Sequence, residues 1–215
     1  MSYYIAQVFP MAQSLEKPIT FAEFIQWKPE SKRYELHDGV IFEMPQPTGE
    51  HEDIVGFLSE KLTLEYARLN LPYSIPKTAL VKSASSESAY SPDILLINRS
   101  NLVNEPFWKK ESTVTLAESI PLVIEVVSTN WRDDYYKKYG EYEEIGIPEY
   151  WIVDYLGLGA RKFVGNPKKP TVSIYFLVDG EYQVNQFREN DCIRSLTFPE
   201  LNLTAQEIFQ AVSYS

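Results

Sequence analysis

The chain has 215 residues, 44% of them hydrophobic, enough to bury the core of one sizeable globular domain. Its 23% charged and 14% aromatic residues are the composition of a folded protein and exclude general disorder. Thirty acidic against 20 basic residues give a net charge of −10, which repels nucleic acid at long range; screening beyond ~8 Å still leaves room for a local basic patch.

Residues 1–18 lack periodicity and read as an N-terminal arm. They carry neither the basic n-region nor the apolar h-region of a secretory signal. Residues 19–215 read as a single domain. Thr20 and Glu23 form a capping box ahead of a short helix over about 21–27. Arg33–His37 and Val40–Met44 are β-like runs, and Asp38-Gly39 between them predicts a two-residue hairpin turn. Pro45 and Pro47 end the hairpin. A long helix over about 50–69 follows, with Val55, Leu58, Leu62, Tyr66 and Leu69 on one face. Beyond Pro72 and Pro76, residues 77–82 read as a strand and Ser83–Ser91 as a polar loop.

Ile94–Ile97 and Leu122–Val127 are continuous apolar runs of the kind found in strands buried on both faces, the second broken by Glu125. Ser128, Thr129 and Asn130 are cap-type residues for a helix over about 131–145, with Gly146 as its C′ residue and Pro148 as its stop. Glu149–Asp154 reads as a strand, and the order strand, helix, strand predicts a crossover in a mixed sheet. Thr171–Val178 and Glu181–Phe187 flank a second hairpin signal, Asp179-Gly180. The single Cys192 points to a reducing, cytoplasmic setting, and one Cys with two His argues against structural zinc. Thr204 and Glu207 repeat the capping box before a terminal helix over about 205–212. The fold class is α/β or α+β. No stretch reaches the ~18 apolar residues of a membrane span.

Several positions could carry chemistry. Glu125 sits inside an apolar strand, where an unpaired charge costs several kcal/mol, so it needs a cation, a proton or an edge position. Asp93 opens the other apolar strand after Pro92; alone it reads as a turn or cap residue. If the two strands are neighbours the carboxylates converge, and at ~4 Å they repel by roughly 4 kcal/mol at an effective dielectric of ~20. Such a pair calls for a shared proton or a hard divalent cation, Mg²⁺ first and Mn²⁺ as substitute. Asp134, Lys138 and Tyr142 stand four residues apart on one helix face. Lys138 then either pairs with Asp134 at the surface or points back over the Glu125 strand to orient an attacking water. Lys137 lies about 100° away round the helix and is the weaker candidate.

Glu35 reads as an exposed strand residue paired with Arg33 or Lys32, or as a group reaching the metal through water. His51 shares the apolar face of its helix and reads as a core or cap histidine, or as a phosphate contact or proton shuttle if it lies near Asp93. Lys109-Lys110 and the group Arg161, Lys162, Lys168 and Lys169 are the local basic concentrations, read as solvated loops or as phosphate contacts. Trp131, Tyr135 and Tyr136 are core material or a stacking surface for bases.

The runs Ser91-Pro92-Asp93-Ile-Leu-Leu-Ile, Pro121-Leu-Val-Ile-Glu125-Val-Val-Ser128 and Asp134-x-x-x-Lys138-x-x-x-Tyr142, continuing to Gly146-Ile-Pro-Glu-Tyr-Trp-Ile-Val-Asp154, resemble the Uma-type restriction-endonuclease-like proteins of the PD-(D/E)xK nuclease superfamily. Tyr34–Gly39 is similar to that family's opening hairpin, and His51 falls where the family often has a histidine. The resemblance covers roughly residues 20–160. It implies a restriction-endonuclease-like core, a four-stranded mixed sheet flanked by helices, with an added N-terminal hairpin and a C-terminal β-hairpin. It implies that Asp93, Glu125 and the carbonyl of Val126 bind Mg²⁺, with Lys138 replacing the motif lysine, whose usual position holds Val127. It implies a Mg²⁺-dependent endonuclease acting on DNA, and a homodimer is reasonable. Two other functions remain open: a nuclease-fold module of weak or no activity that binds a protein partner or itself, and a hydrolase of some other phosphoester.

Overall fold

The computed structural model describes residues 17–29 and 32–213. The arm read over residues 1–18 lies outside them except for Lys17 and Pro18. Thr20 and Glu23 close the expected capping box on α1 (Phe21–Trp27). The first hairpin joins β1 (Tyr34–His37) to β2 (Val40–Glu43) through Asp38 at φ 51° and Gly39 at φ 77°, the left-handed pair that a tight right-twisted hairpin requires. Thr48 caps α2 (Gly49–Arg68), its hydroxyl accepting from the backbone N–H of His51. The helix buries Ile54, Leu58 and Leu62; Val55 and Tyr66, expected on that face, are only partly covered.

Residues 73–114 hold several short strands: β3 (Tyr73–Ser74), β4 (Leu80–Lys82), β5 (Ala89–Tyr90), β6 (Ile94–Asn98) and β7 (Thr113–Val114), with the one-turn α3 (Trp108–Glu111) before the last. The polar stretch Ser83–Ser91 is therefore not all loop, since β5 lies inside it. Sequence patterning misses two-residue strands because a period of two needs more residues to register. Next come β8 (Leu122–Val126), a π-helical segment (Asp133–Lys138) that runs into α4 (Tyr139–Ile145), β9 (Glu149–Asp154) and the short α5 (Arg161–Val164). Gly146 ends α4 at φ 88°, as expected of a C′ glycine. The chain finishes with β10 (Thr171–Val178), β11 (Glu181–Phe187) and α6 (Ala205–Gln210), the last capped by the Thr204–Glu207 box.

Two mixed arrangements result. One sheet runs β2-β1-β5-β4-β7; the other runs β11-β10-β9-β8-β6-β3. The second has six strands where the resemblance implied four: the C-terminal hairpin extends it through β9, and β3 pairs onto β6. β8 and β9 are parallel and joined by the helical crossover, as the strand–helix–strand order required. Alternation along β8 sends Leu122, Ile124 and Val126 to a core shared with α2 and α6, and Val123 and Val127 to a core shared with Tyr135 and Tyr142. Each fully buried aliphatic contributes roughly 1.5–3 kcal/mol. Glu125 has the parity of the second set, so its side chain faces the crossover helix. Among the described residues no helix is long and apolar enough to cross a membrane.

Candidate active site

β6 and β8 are antiparallel neighbours, Ile94 opposite Ile124, and one further step of that register sets Asp93 opposite Glu125. Asp93 Oδ2 accepts from the backbone N–H of Val126 at 2.9 Å, so the carboxylate replaces a ladder carbonyl and is fixed at the strand end. The two acids predicted from separate motifs therefore share one cavity, of about 230 Å³, lined also by Val126, His51, Asp134 and Lys138.

The crossover helix completes the cluster. Lys138 Nζ lies 3.1 Å from Glu125 Oε1, 3.4 Å from Asp134 Oδ1 and 3.5 Å from Glu35 Oε1, with its side chain only 3% exposed. Tyr142 donates to Glu125 Oε1 at 3.0 Å. Asp134, Lys138 and Tyr142 thus converge above Glu125, although the helix is π-wound where a regular α-helix was expected. Lys137 turns away and pairs with Asp133. The Tyr150 hydroxyl donates to the carbonyl of Asp134 and pins the π segment to β9.

Of the two readings of Glu35, the exposed residue paired with Arg33 or Lys32 is overturned: it is 1% exposed and faces the cluster. Its Oε1 accepts from the N–H of Ser91 at 2.9 Å, and its Oε2 lies 2.9 Å from His37 Nε2. Burial opposes its ionisation, yet Lys138, His37 and the Ser91 N–H outweigh that and bring its pKa down to about 2. Asp134 moves the other way: burial pushes it up to about 7 against the pull of Lys138, with Asp93 and Glu35 adding repulsion. Burial likewise drives Glu125 well above the usual carboxylate range, again opposed by Lys138 and reinforced by Asp93, Asp134 and Glu35. For Lys138 burial disfavours the ammonium, but Glu125, Glu35 and Asp134 prevail and hold its pKa well above the usual lysine value. The amine is a fixed positive charge at neutral pH and cannot serve as a general base.

His51 comes from the opposite face of the sheet. Its Nε2 lies 3.2 Å from Asp93 Oδ2 and 3.1 Å from the carbonyl oxygen of Val126. Burial lowers its pKa, but the Asp93 carboxylate, Glu52 and the Val126 carbonyl together raise it above the ordinary value. The Asp93 carboxylate and the Val126 carbonyl thus converge on one point, which His51 Nε2 occupies. Among the described residues no three acid, histidine or cysteine side chains form a ready metal cage. The available donor set is instead two carboxylates and one main-chain carbonyl, all hard oxygens that suit Mg²⁺ or Mn²⁺.

Residues 21–206 match the model of the Uma2 family, described as "Putative restriction endonuclease". The chain belongs to the Uma2 family. Its fold also resembles a crystal structure described as "a putative nuclease belonging to DUF820" from Anabaena variabilis, with a TM-score of 0.69 at 18% identity, covering 91% of this chain and 99% of that one. No curated protein matches it.

Within this Uma2 chain the sequence missed His37 and gave Tyr142 no role. A usable signal existed: Arg33, Glu35 and His37 alternate, so a strand pinned by Asp38-Gly39 presents all three to one side. Of the basic groups, Lys168 donates to the carbonyl of Leu158, Lys169 pairs with Glu189, and Lys162 lies over the rings of Tyr136 and Phe163. These contacts tie down Lys162, Lys168 and Lys169 of that group. Tyr135 is buried and stacks on Phe163 at 4.2 Å, which removes it as a base platform, whereas Tyr136 is 47% exposed.

Proposed function

We propose that the chain is a divalent-metal-dependent endonuclease that hydrolyses DNA phosphodiester bonds. The observation that carries this reading is the buried Lys138 ammonium 3.1 Å from Glu125, in the same cavity as Asp93 and the Val126 carbonyl. Asp93, Glu125 and that carbonyl would hold Mg²⁺, with Mn²⁺ as substitute. When bound, the ion activates a water and neutralises charge on the scissile phosphate. Lys138, its three donors turned to Glu125, Asp134 and Glu35, would act through its desolvated positive charge on a phosphoryl oxygen that becomes more negative. Glu35 and Asp134 position Lys138. Tyr142 fixes the rotamer of Glu125. His51 orients Asp93 and offers a proton or a phosphate contact at the metal end of the site.

The test is nicking of supercoiled plasmid with Mg²⁺ or Mn²⁺ and with EDTA as control. Wild type should nick only with metal, and Asp93→Ala and Glu125→Ala should abolish nicking while still unfolding cooperatively. Unchanged nicking in either purified variant overturns the assignment. A second reading, a non-cleaving module, is favoured by Val127 at the motif lysine position and by the charge of −10; metal binding without nicking would establish it.

A further inference from the structure

A second cleft of about 800 Å³ opens beside the site cavity and shares a wall with it, formed by Arg33, Met44–Gln46 and Ser91. Its lining carries Lys28, Lys32, Arg33 and Lys110 against two acids, Glu43 and Glu111. Lys32 is held by Glu43 at 2.6 Å. Among the described residues, Lys28, Arg33 and Lys110 form no ion pair with any carboxylate. In a chain where acids outnumber bases by ten, three cations in one concavity with no carboxylate partner among the described residues mark a place suited to negative charge. Burial and the neighbouring Arg33 charge both depress the pKa of Lys28, which sets these two cations close to each other in the cleft.

Arg33 is the hinge between the two cavities. Its Nη2 donates to Ser91 O at 3.3 Å and to Ser91 Oγ at 3.4 Å, which holds the guanidinium two residues from Asp93. Among the described residues its Nε and Nη1 have no acceptor, so these N–H groups can donate to phosphate oxygens. We propose that this cleft is the track for the sugar-phosphate backbone on one side of the scissile bond, with Arg33 as the phosphate contact nearest the cut and Lys28 and Lys110 as the next. The proposal rests on the nuclease reading and adds to it a direction in which the strand leaves the metal site.

The experiment is fluorescence anisotropy of a 5′-fluorescein single-stranded DNA dodecamer in EDTA, where no cleavage occurs, across a salt titration. Each phosphate contact on a single strand contributes ~0.7 to the slope of log K on log[salt], so Lys28→Gln/Arg33→Gln/Lys110→Gln should flatten the slope by about 2. Lys28→Gln/Lys110→Gln changes only part-exposed or exposed side chains, avoids Asp93 and should flatten it by about 1.4, while Arg33→Lys should leave it near wild type. Wild-type slope and affinity in the double and triple variants, or no binding by wild type at low salt, overturns the track. Plasmid nicking separates the two readings. Metal-dependent nicking with an unaltered slope removes the cleft alone. A flattened slope in a protein that never nicks removes the nuclease and leaves the cleft standing as a backbone-binding surface.

Discussion

Asp134→Asn tests the charge balance of the candidate active-site cavity. The Asp134 carboxyl, with an ordinary value of 3.8, is pushed up to about 7 in the fold, chiefly by burial. Below the lower value it is neutral in folded and unfolded chains alike. Between the two values the unfolded chain releases the proton and the folded chain keeps it, so stability falls as pH rises through this window. Above ~pH 7 the fold bears the whole cost of the carboxylate, and a shift of ~3 units corresponds to about 4 kcal/mol. Asparagine keeps an acceptor near Lys138 Nζ, now 3.4 Å from Asp134 Oδ1, and removes the charge.

The variant should therefore be more stable than wild type at ~pH 8 by up to about 4 kcal/mol, roughly 8–16 °C in Tm for a chain of this size, and no different at ~pH 3. Urea unfolding monitored by tryptophan fluorescence across that pH range measures it. A variant less stable than wild type at ~pH 8 would show that the carboxylate is a net stabilising partner of Lys138, and the reasoning would fail. A gain in stability with a loss of nicking would mark Asp134 as a strained group retained for activity.

Glu35→Gln should cost about 3 kcal/mol at neutral pH, because its pKa of about 2 lies ~2.5 units below the ordinary 4.5; the loss should fade as pH drops from ~4.5 to ~2, read by the same unfolding assay. Lys138→Met leaves Glu125, Asp134 and Glu35 buried without their cation and should destabilise by about 3–5 kcal/mol at neutral pH while lowering nicking at least ~100-fold; near-wild-type turnover would place the essential charge elsewhere. Val127→Lys restores the motif lysine at a position only 1% exposed, and should cost several kcal/mol without raising nicking; a faster enzyme would contradict this.

Long or strongly punctuated elements were legible in the sequence. The two Asp-Gly hairpins, both capping boxes and the strand Glu149–Asp154 follow from local chemistry that acts over a few residues. The pairing of Asp93 with Glu125 was legible as a condition, if their strands adjoined, and the register of β6 on β8 met it. Glu35 was legible only as one of two alternatives: a four-residue strand with charged residues at alternate positions looks solvent-facing, and its burial comes from packing on both faces, α1 against Tyr34 and Leu36 and the crossover helix against Glu35. The π winding of Asp133–Lys138 was equally hidden, because an α-helical period assigns Asp134, Lys138 and Tyr142 to one face with or without the extra residue per turn.

The position of the amine follows from the same geometry. Glu125 and Val127 share a face of β8, and that face is covered by the crossover helix, so an amine near Glu125 can come from the strand below or from the helix above. From the strand it would stand beside Glu125 and displace the packing that Val127 makes with Tyr135 and Tyr142. From the helix it descends between Glu125, Asp134 and Glu35 and satisfies three carboxylates at once, which a residue on the strand flank has less freedom to do. The helix also supplies Tyr142 to Glu125, so one element sets both the electrostatic surroundings and the rotamer of that acid. Moving the lysine therefore does not by itself imply a lost activity: Lys138 and Tyr142 keep an ammonium and a hydrogen-bond donor on Glu125 while the strand position closes into apolar core.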